Sequence, residues 1–148
     1  LRVSLRPLTA LGANGSRAAL VTIVAVALVS AAICAALGAG LVPLSGSPSP
    51  IRGDVLASAW VSTLGGATYA AFFSLGATFG RKGTGRIALL IADWLLGSTK
   101  GLEIVTPHAH LRNLLGGGPI AHVSQTVSAI VLGAIALVCT AVATRRAR

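Results

Sequence analysis

Apolar residues along this chain fall into long uninterrupted runs rather than into alternating or 3.6-periodic patterns. Ala18 to Val42 is 25 residues without a charge, and Val55 to Phe79 is a second run of the same length. About 20 apolar residues cross a bilayer core as a helix, so each run predicts a span. Between them "PLSGSPSPIRGD" is a Pro/Ser/Gly turn, and Asp54 is placed to cap the second helix. The basic turn "GRKGTGR" precedes a third run whose clean apolar stretch lasts from Ile87 to about Leu96 and contains Asp93. From Gly97 to Ile120 the pattern is mixed and amphipathic, and Gly116-Gly117-Gly118-Pro119 breaks it. A last apolar run then ends in "TRRAR". The expected architecture is an all-α integral membrane protein. It has four transmembrane helices at about 18–42, 55–79, 87–105 and 122–143, plus a re-entrant or amphipathic outer segment, in a single domain spanning 1–148.

Composition excludes the soluble alternatives. Charged residues make up 10% of the 148, hydrophobic residues 54%, and mean hydropathy is +0.84, whereas a soluble domain carries roughly 25% charge. Aromatics are 4%, and the Ala/Gly/Leu/Val bulk points to closely packed helices rather than a β-barrel with aromatic girdles. The net charge of +9 does not imply nucleic acid, because the basic residues sit between apolar runs and form no stripe. With the amino terminus inside, nine Lys and Arg fall on the inner side and three (Arg52, Lys100, Arg112) on the outer side. That bias puts both ends of the chain in the cytoplasm. The two cysteines, Cys34 and Cys139, would lie at depths differing by more than ~10 Å, beyond disulfide reach. The chain contains no Met and opens on Leu1, which reads as a fragment or a trimmed start.

A packing signal runs along the second span. Ser58, Ser62, Gly66, Ala70, Ser74 and Thr78 recur every fourth residue, so small side chains share one ridge where another helix backbone can approach closely. That seam serves either the same subunit or a pair of subunits. Ala32, Ala36 and Gly40 form a shorter version in the first span.

Candidate chemistry is sparse. Asp93 inside a span costs about 3 kcal/mol on insertion scales and is a functional-site hypothesis on that ground. It could relay protons, pair with a cation or cap a broken helix. The plainer reading places it near a wet interior groove or at a helix interface, satisfied by Ser or Thr hydroxyls. His108 and His110 form His-x-His, but they head into a helix-like "LRNLL", where positions i and i+2 diverge. No Cys or carboxylate cluster completes four ligands, so no metal site is expected; His122 lies beyond the glycine break. Lys100 and Glu103, three apart, are placed to pair on an outer face. No nucleophile has a base beside it, and "GRKGTGR" lacks the spacing of a phosphate-binding loop. The chain is therefore expected not to be an enzyme and to bind no cofactor directly.

The order of segments carries a resemblance. "SLRPLTALGANGSRAAL" resembles the cytoplasmic segment of exporter-class (type-2) ABC-transporter permeases, where an Arg-Pro-aliphatic turn precedes a short helix and the next span; here the turn is Arg6, Pro7 and Leu8. "TYAAFFSLGATFGRKGTGRIALLIADWLLG" is similar to a later permease pattern, a small and apolar span, a basic turn and a span with an acidic-aromatic pair, Asp93-Trp94. "LEIVTPHAHLRNLLGGG" resembles the outer segment between the last two spans, which dips back toward the membrane. The resemblance implies a permease subunit of an ATP-driven transporter, exporting an unknown substrate across the cell (inner) membrane. Its partners would be a cytoplasmic ATPase subunit that holds Mg-ATP, a second permease subunit and the lipid bilayer. Arg6, Pro7 and Leu8 would dock on the ATPase, and His108, His110 and Arg112 would shape an outer gate. Such permeases have six spans, so two would precede Leu1. The alternative is a stand-alone four-span scaffold that oligomerises through the ridge.

Overall fold

The computed structural model describes residues 10, 12, 14–44, 51–80, 83–117 and 123–147. The docking turn Arg6-Pro7-Leu8 and His122 lie outside the described residues. Among those described there is no strand. The elements are α1 (Gly15–Leu44), α2 (Ile51–Gly76), α3 (Gly85–Gly97), a 3-10 turn (Glu103–Val105), α4 (Pro107–Leu114) and α5 (Gln125–Arg146).

Three helices, α1, α2 and α5, are long and apolar enough to cross a membrane. At ~1.5 Å per residue they measure about 45, 39 and 33 Å, against a hydrocarbon core of ~30 Å. α1 is apolar all round and buries only Ala19, Ile23 and Ala31. Its larger side chains face outward, with Leu28 66% and Leu41 62% exposed. Outward-facing aliphatics without a polar face suit lipid rather than water. Hydroxyls inside these helices are satisfied locally: Thr22, Thr63, Ser74 and Thr144 each donate to the carbonyl four residues earlier, which lets a polar residue sit in an apolar span.

The third run differs from the expected 87–105 span. α3 is 13 residues, about 20 Å, and stops at Gly97, where Ser98-Thr99-Lys100-Gly101 ends the apolar stretch. The 3-10 turn and α4 then occupy 103–114 as separate pieces. α2 also begins earlier than expected, so Asp54 sits within its first turn rather than ahead of it, where it complements the helix dipole.

Cross-helix contacts fix the directions. Gly66 lies against Ser30 and Ala31, and Gly38 lies against Ser58 and Ser62, so α1 and α2 are antiparallel. Tyr69 meets Asp93 and Gly76 meets Arg86, so α3 is antiparallel to α2. Thr68 bonds the carbonyl of Leu132 at 3.5 Å, and the Arg146 guanidinium lies 4.1 Å from the Phe79 ring centre. α5 therefore runs in the same direction as α2. The chain between them must return from the carboxy-terminal end of α2 to the level where α5 starts. α3, the 3-10 turn and α4 accomplish that return.

The α2–α3 hairpin is tight because both partners lack a side chain at the crossing. A Cβ on Gly85 would lie 2.5 Å from the Gly76 carbonyl oxygen.

Candidate functional site

The α1–α2 seam is the first candidate region, and it assigns the small-residue ridge. A Cβ on Gly66 would sit 2.7 Å from the Ser30 carbonyl oxygen and 3.1 Å from the Ala31 Cα, and one on Gly38 would meet the Ser62 hydroxyl and the Ser58 carbonyl. The ridge of Ser58, Ser62, Gly66, Ala70, Ser74 and Thr78 thus meets α1 of the same chain along its first half, and Ala70 is buried. The shorter ridge of Ala32, Ala36 and Gly40 is exposed; α1 uses Ser30, Ala31 and Gly38 instead.

A groove of ≈ 920 Å³ follows this seam between α1, α2 and α4. Its walls run from Thr22 to Leu41 on α1 and from Val61 to Ser74 on α2. Leu111 of α4 and Leu115 just after it close one side, and Arg86 stands among its lining residues as the sole charged one. Cys34 lines the groove, Cys139 is buried in α5, and both are free thiols.

The second region is a polar joint at the start of α4. Asp93 is 3% exposed and accepts two hydrogen bonds: Oδ2 from the Tyr69 hydroxyl at 2.6 Å and Oδ1 from the His108 backbone N–H at 3.2 Å. The plainer sequence reading expected Ser or Thr hydroxyls; the structure supplies a tyrosine from α2 and the amino terminus of α4. The reason lies in Thr106 at the head of α4. Its hydroxyl donates back to the Glu103 carbonyl and makes no cap bond. Pro107 brings no N–H at the first position. The carboxylate of α3 therefore caps α4 from outside, with its charge at the positive end of that helix. Of the three roles open to Asp93, the geometry matches the cap of a broken helix.

His108 and His110 part as helix geometry requires. A Cβ on Gly97 would meet the His108 ring at 3.1 Å, so this imidazole packs on the end of α3. His110 is fully buried. Its Nε2 lies 2.7 Å from the Ile104 carbonyl oxygen and its Nδ1 lies 3.1 Å from the Ser128 hydroxyl. Because a carbonyl only accepts, Nε2 carries a proton, and in the neutral imidazole Nδ1 accepts from Ser128. Asn113 completes the chain by donating to Ser128 Oγ at 2.8 Å and to the Val123 carbonyl at 3.0 Å. The buried polar side chains described here all have partners, as an apolar surrounding demands. Ser128 and His110 resemble a hydrolytic pair in distance only: both are fully buried, and their hydrogen bonds hold α4 to the 3-10 turn and to α5.

Arg112 is exposed and forms an ion pair with Glu103 at 3.7 Å. That corrects the expected Lys100–Glu103 pair: the 3-10 turn points Glu103 toward α4. Among the described residues no three His, Cys, Asp or Glu side chains gather as a metal would need.

Tyr69, Asn113 and Ser128 are joint residues that the sequence reading did not single out. Asn113 carried a usable signal, since an amide among aliphatics in "LRNLL" must find internal partners in a membrane setting. Compared with known proteins, the chain matches no family model, no curated protein and no solved structure. The fold and the two regions define an all-α chain with three helices compatible with a membrane-embedded protein.

Proposed function

We propose that this chain is a permease subunit of an ATP-driven, exporter-type ABC transporter in the cell (inner) membrane, with both ends of the chain cytoplasmic. It performs no chemistry of its own; Mg-ATP is bound and hydrolysed by a partner ATPase, and a second permease subunit completes the pathway. The observation that carries the reading is the broken return between α2 and α5. The segment that resembles the outer dip of such permeases folds as a separate short helix tucked against α2, α3 and α5 at the depth of the spans. Non-helical backbone at that depth is tolerated only where protein or a cavity surrounds it, and discontinuous helices of this kind occur at transport pathways. α4 is tied to α3 through Asp93 and to α5 through His110 and Asn113, so the last helices would move as one body when the ATPases close. ATP then biases an inward–outward equilibrium by binding one state better. His108, His110 and Arg112 act in this reading by positioning α4 at the outer side.

The alternative, a stand-alone four-span scaffold, drew on the α2 ridge for self-association. Ser58, Ser62 and Gly66 meet α1 of the same chain, which removes most of that support.

The test is co-expression of the protein with the ABC ATPases of its own genome, followed by co-purification. The wild-type pair should form, and Arg6→Glu combined with Leu8→Asp should lose the ATPase. A complex that survives the double change sinks the docking assignment; a wild-type chain that recruits no such ATPase sinks the transporter reading.

A further inference from the structure

The groove along α1 and α2 has a chemistry that its own chain does not complete. Its lining runs from Thr22 to Leu41 on α1 and from Val61 to Ser74 on α2, about 28 and 20 Å at ~1.5 Å per residue, long enough for an acyl chain laid through one ~15 Å leaflet. The walls are made mostly of aliphatic, small and hydroxyl side chains, with the Phe73 ring and the Cys34 thiol among them, and the hydroxyls of Thr22 and Ser74 are already bonded to their own helices. Arg86 is the single charged lining residue and is exposed. Its backbone is pinned against Gly76, which sets it at the carboxy-terminal end of α2. The chain has three acidic residues, and none is available to Arg86. Asp54 is in the first turn at the opposite end of α2, Asp93 is engaged with Tyr69 and His108, and Glu103 pairs with Arg112. Arg146 of α5 lies over Phe79 at the same end.

We propose that this groove is a binding site for an anionic membrane lipid, with an acyl chain laid along the α1–α2 walls and an acidic headgroup on Arg86. A zwitterionic lipid could fill the walls equally well, so the guanidinium is what selects the headgroup. The proposal rests on the helices crossing a bilayer and not on the transporter reading; failure to recruit an ATPase leaves it standing.

The experiment uses the full chain, delipidated in detergent and reconstituted in nanodiscs of phosphatidylglycerol and phosphatidylcholine with identical acyl chains. Lipids retained after transfer to mild detergent are counted by native mass spectrometry. The wild type should retain phosphatidylglycerol about fivefold over phosphatidylcholine, the preference one surface cation supports. Arg86→Gln should bring that ratio to about one, and Arg86→Lys should keep it. Val26→Trp, at an exposed groove-wall position, should lower retention of both lipids, while Leu28→Trp, exposed but outside the groove, should leave it unchanged. Alkylation of Cys34 in the unaltered chain provides a readout free of bulky substitutions: phosphatidylglycerol should slow it more than phosphatidylcholine does. No headgroup preference in the wild type, a preference that survives Arg86→Gln, or equal Cys34 labelling in the two lipids overturns the proposal.

Discussion

The α1–α2 seam and the joint around α4 solve the same problem by opposite means. In the seam, glycine and small side chains let two backbones touch, with Gly66 against the Ser30 carbonyl and Gly38 against Ser62. In the joint, polar groups that lipid cannot satisfy are brought together, with Asp93 on Tyr69 and α4 and His110 on Ser128 and Ile104. The seam is held by shape and tolerates no added volume. The joint is held by pairing and tolerates no missing partner. A region built for proximity and one built for completeness should therefore fail under different substitutions.

The sharpest way to break the first is Gly66→Leu. The new side chain meets backbone atoms of α1, which cannot swing away, and overpacking of that kind costs about 3 kcal/mol. Denaturation from mild detergent should show the largest loss of any single change discussed here, and near-native stability would mean that α1 and α2 do not pack as described. Next comes Asp93→Ala, which strands both the Tyr69 hydroxyl and the first free N–H of α4; a loss of about 2 kcal/mol is expected. Asp93→Asn keeps one acceptor and should recover roughly half of that loss. Equal damage from both would show that charge, rather than acceptor count, governs the joint. A double-mutant cycle of His110→Ala and Ser128→Ala follows, with a coupling of about 1 kcal/mol if the imidazole and hydroxyl share one network; strict additivity would dissolve the network. Smallest is Arg112→Ala. Its pair with Glu103 is exposed on the arginine side, so less than about 0.5 kcal/mol is at stake, and added salt should erase it.

The two regions were also unequally legible in the sequence. The runs at 18–42 and 55–79 announced α1 and α2 because apolar length needs no knowledge of tertiary partners. The four-residue ridge on α2 was visible for the same reason. Its counterpart was not: α1 is rich in Ala and Gly on every side, so Ala32-Ala36-Gly40 looked as good a face as Ser30, Ala31 and Gly38, and only docking chooses between them. Asp93 stood out as a charge in an apolar run, yet its partners come from α2 and from the head of α4, which no local pattern connects. The end of α3 at Gly97 had a local cue in Ser98-Thr99-Lys100-Gly101, outweighed in the reading by the length a full crossing needs.

That α2 and α5 point the same way has a consequence for how the protein is made. A 13-residue α3 is too short to be recognised during synthesis as a membrane segment in its own right, and Asp93 weakens it further. When α3 leaves the ribosome, its carboxylate has Tyr69 to bond but not the α4 N–H. In the four-span reading the strong topological instruction would come later, from the apolar length of α5 and the arginines that close it. Insertion would then be retroactive: the final helix would set the direction, and the preceding segment would be locked in place once Ser128 of α5 is there to bond His110 and Asn113. A ribosome stalled before Gln125 should leave α3 accessible from the side where it was synthesised.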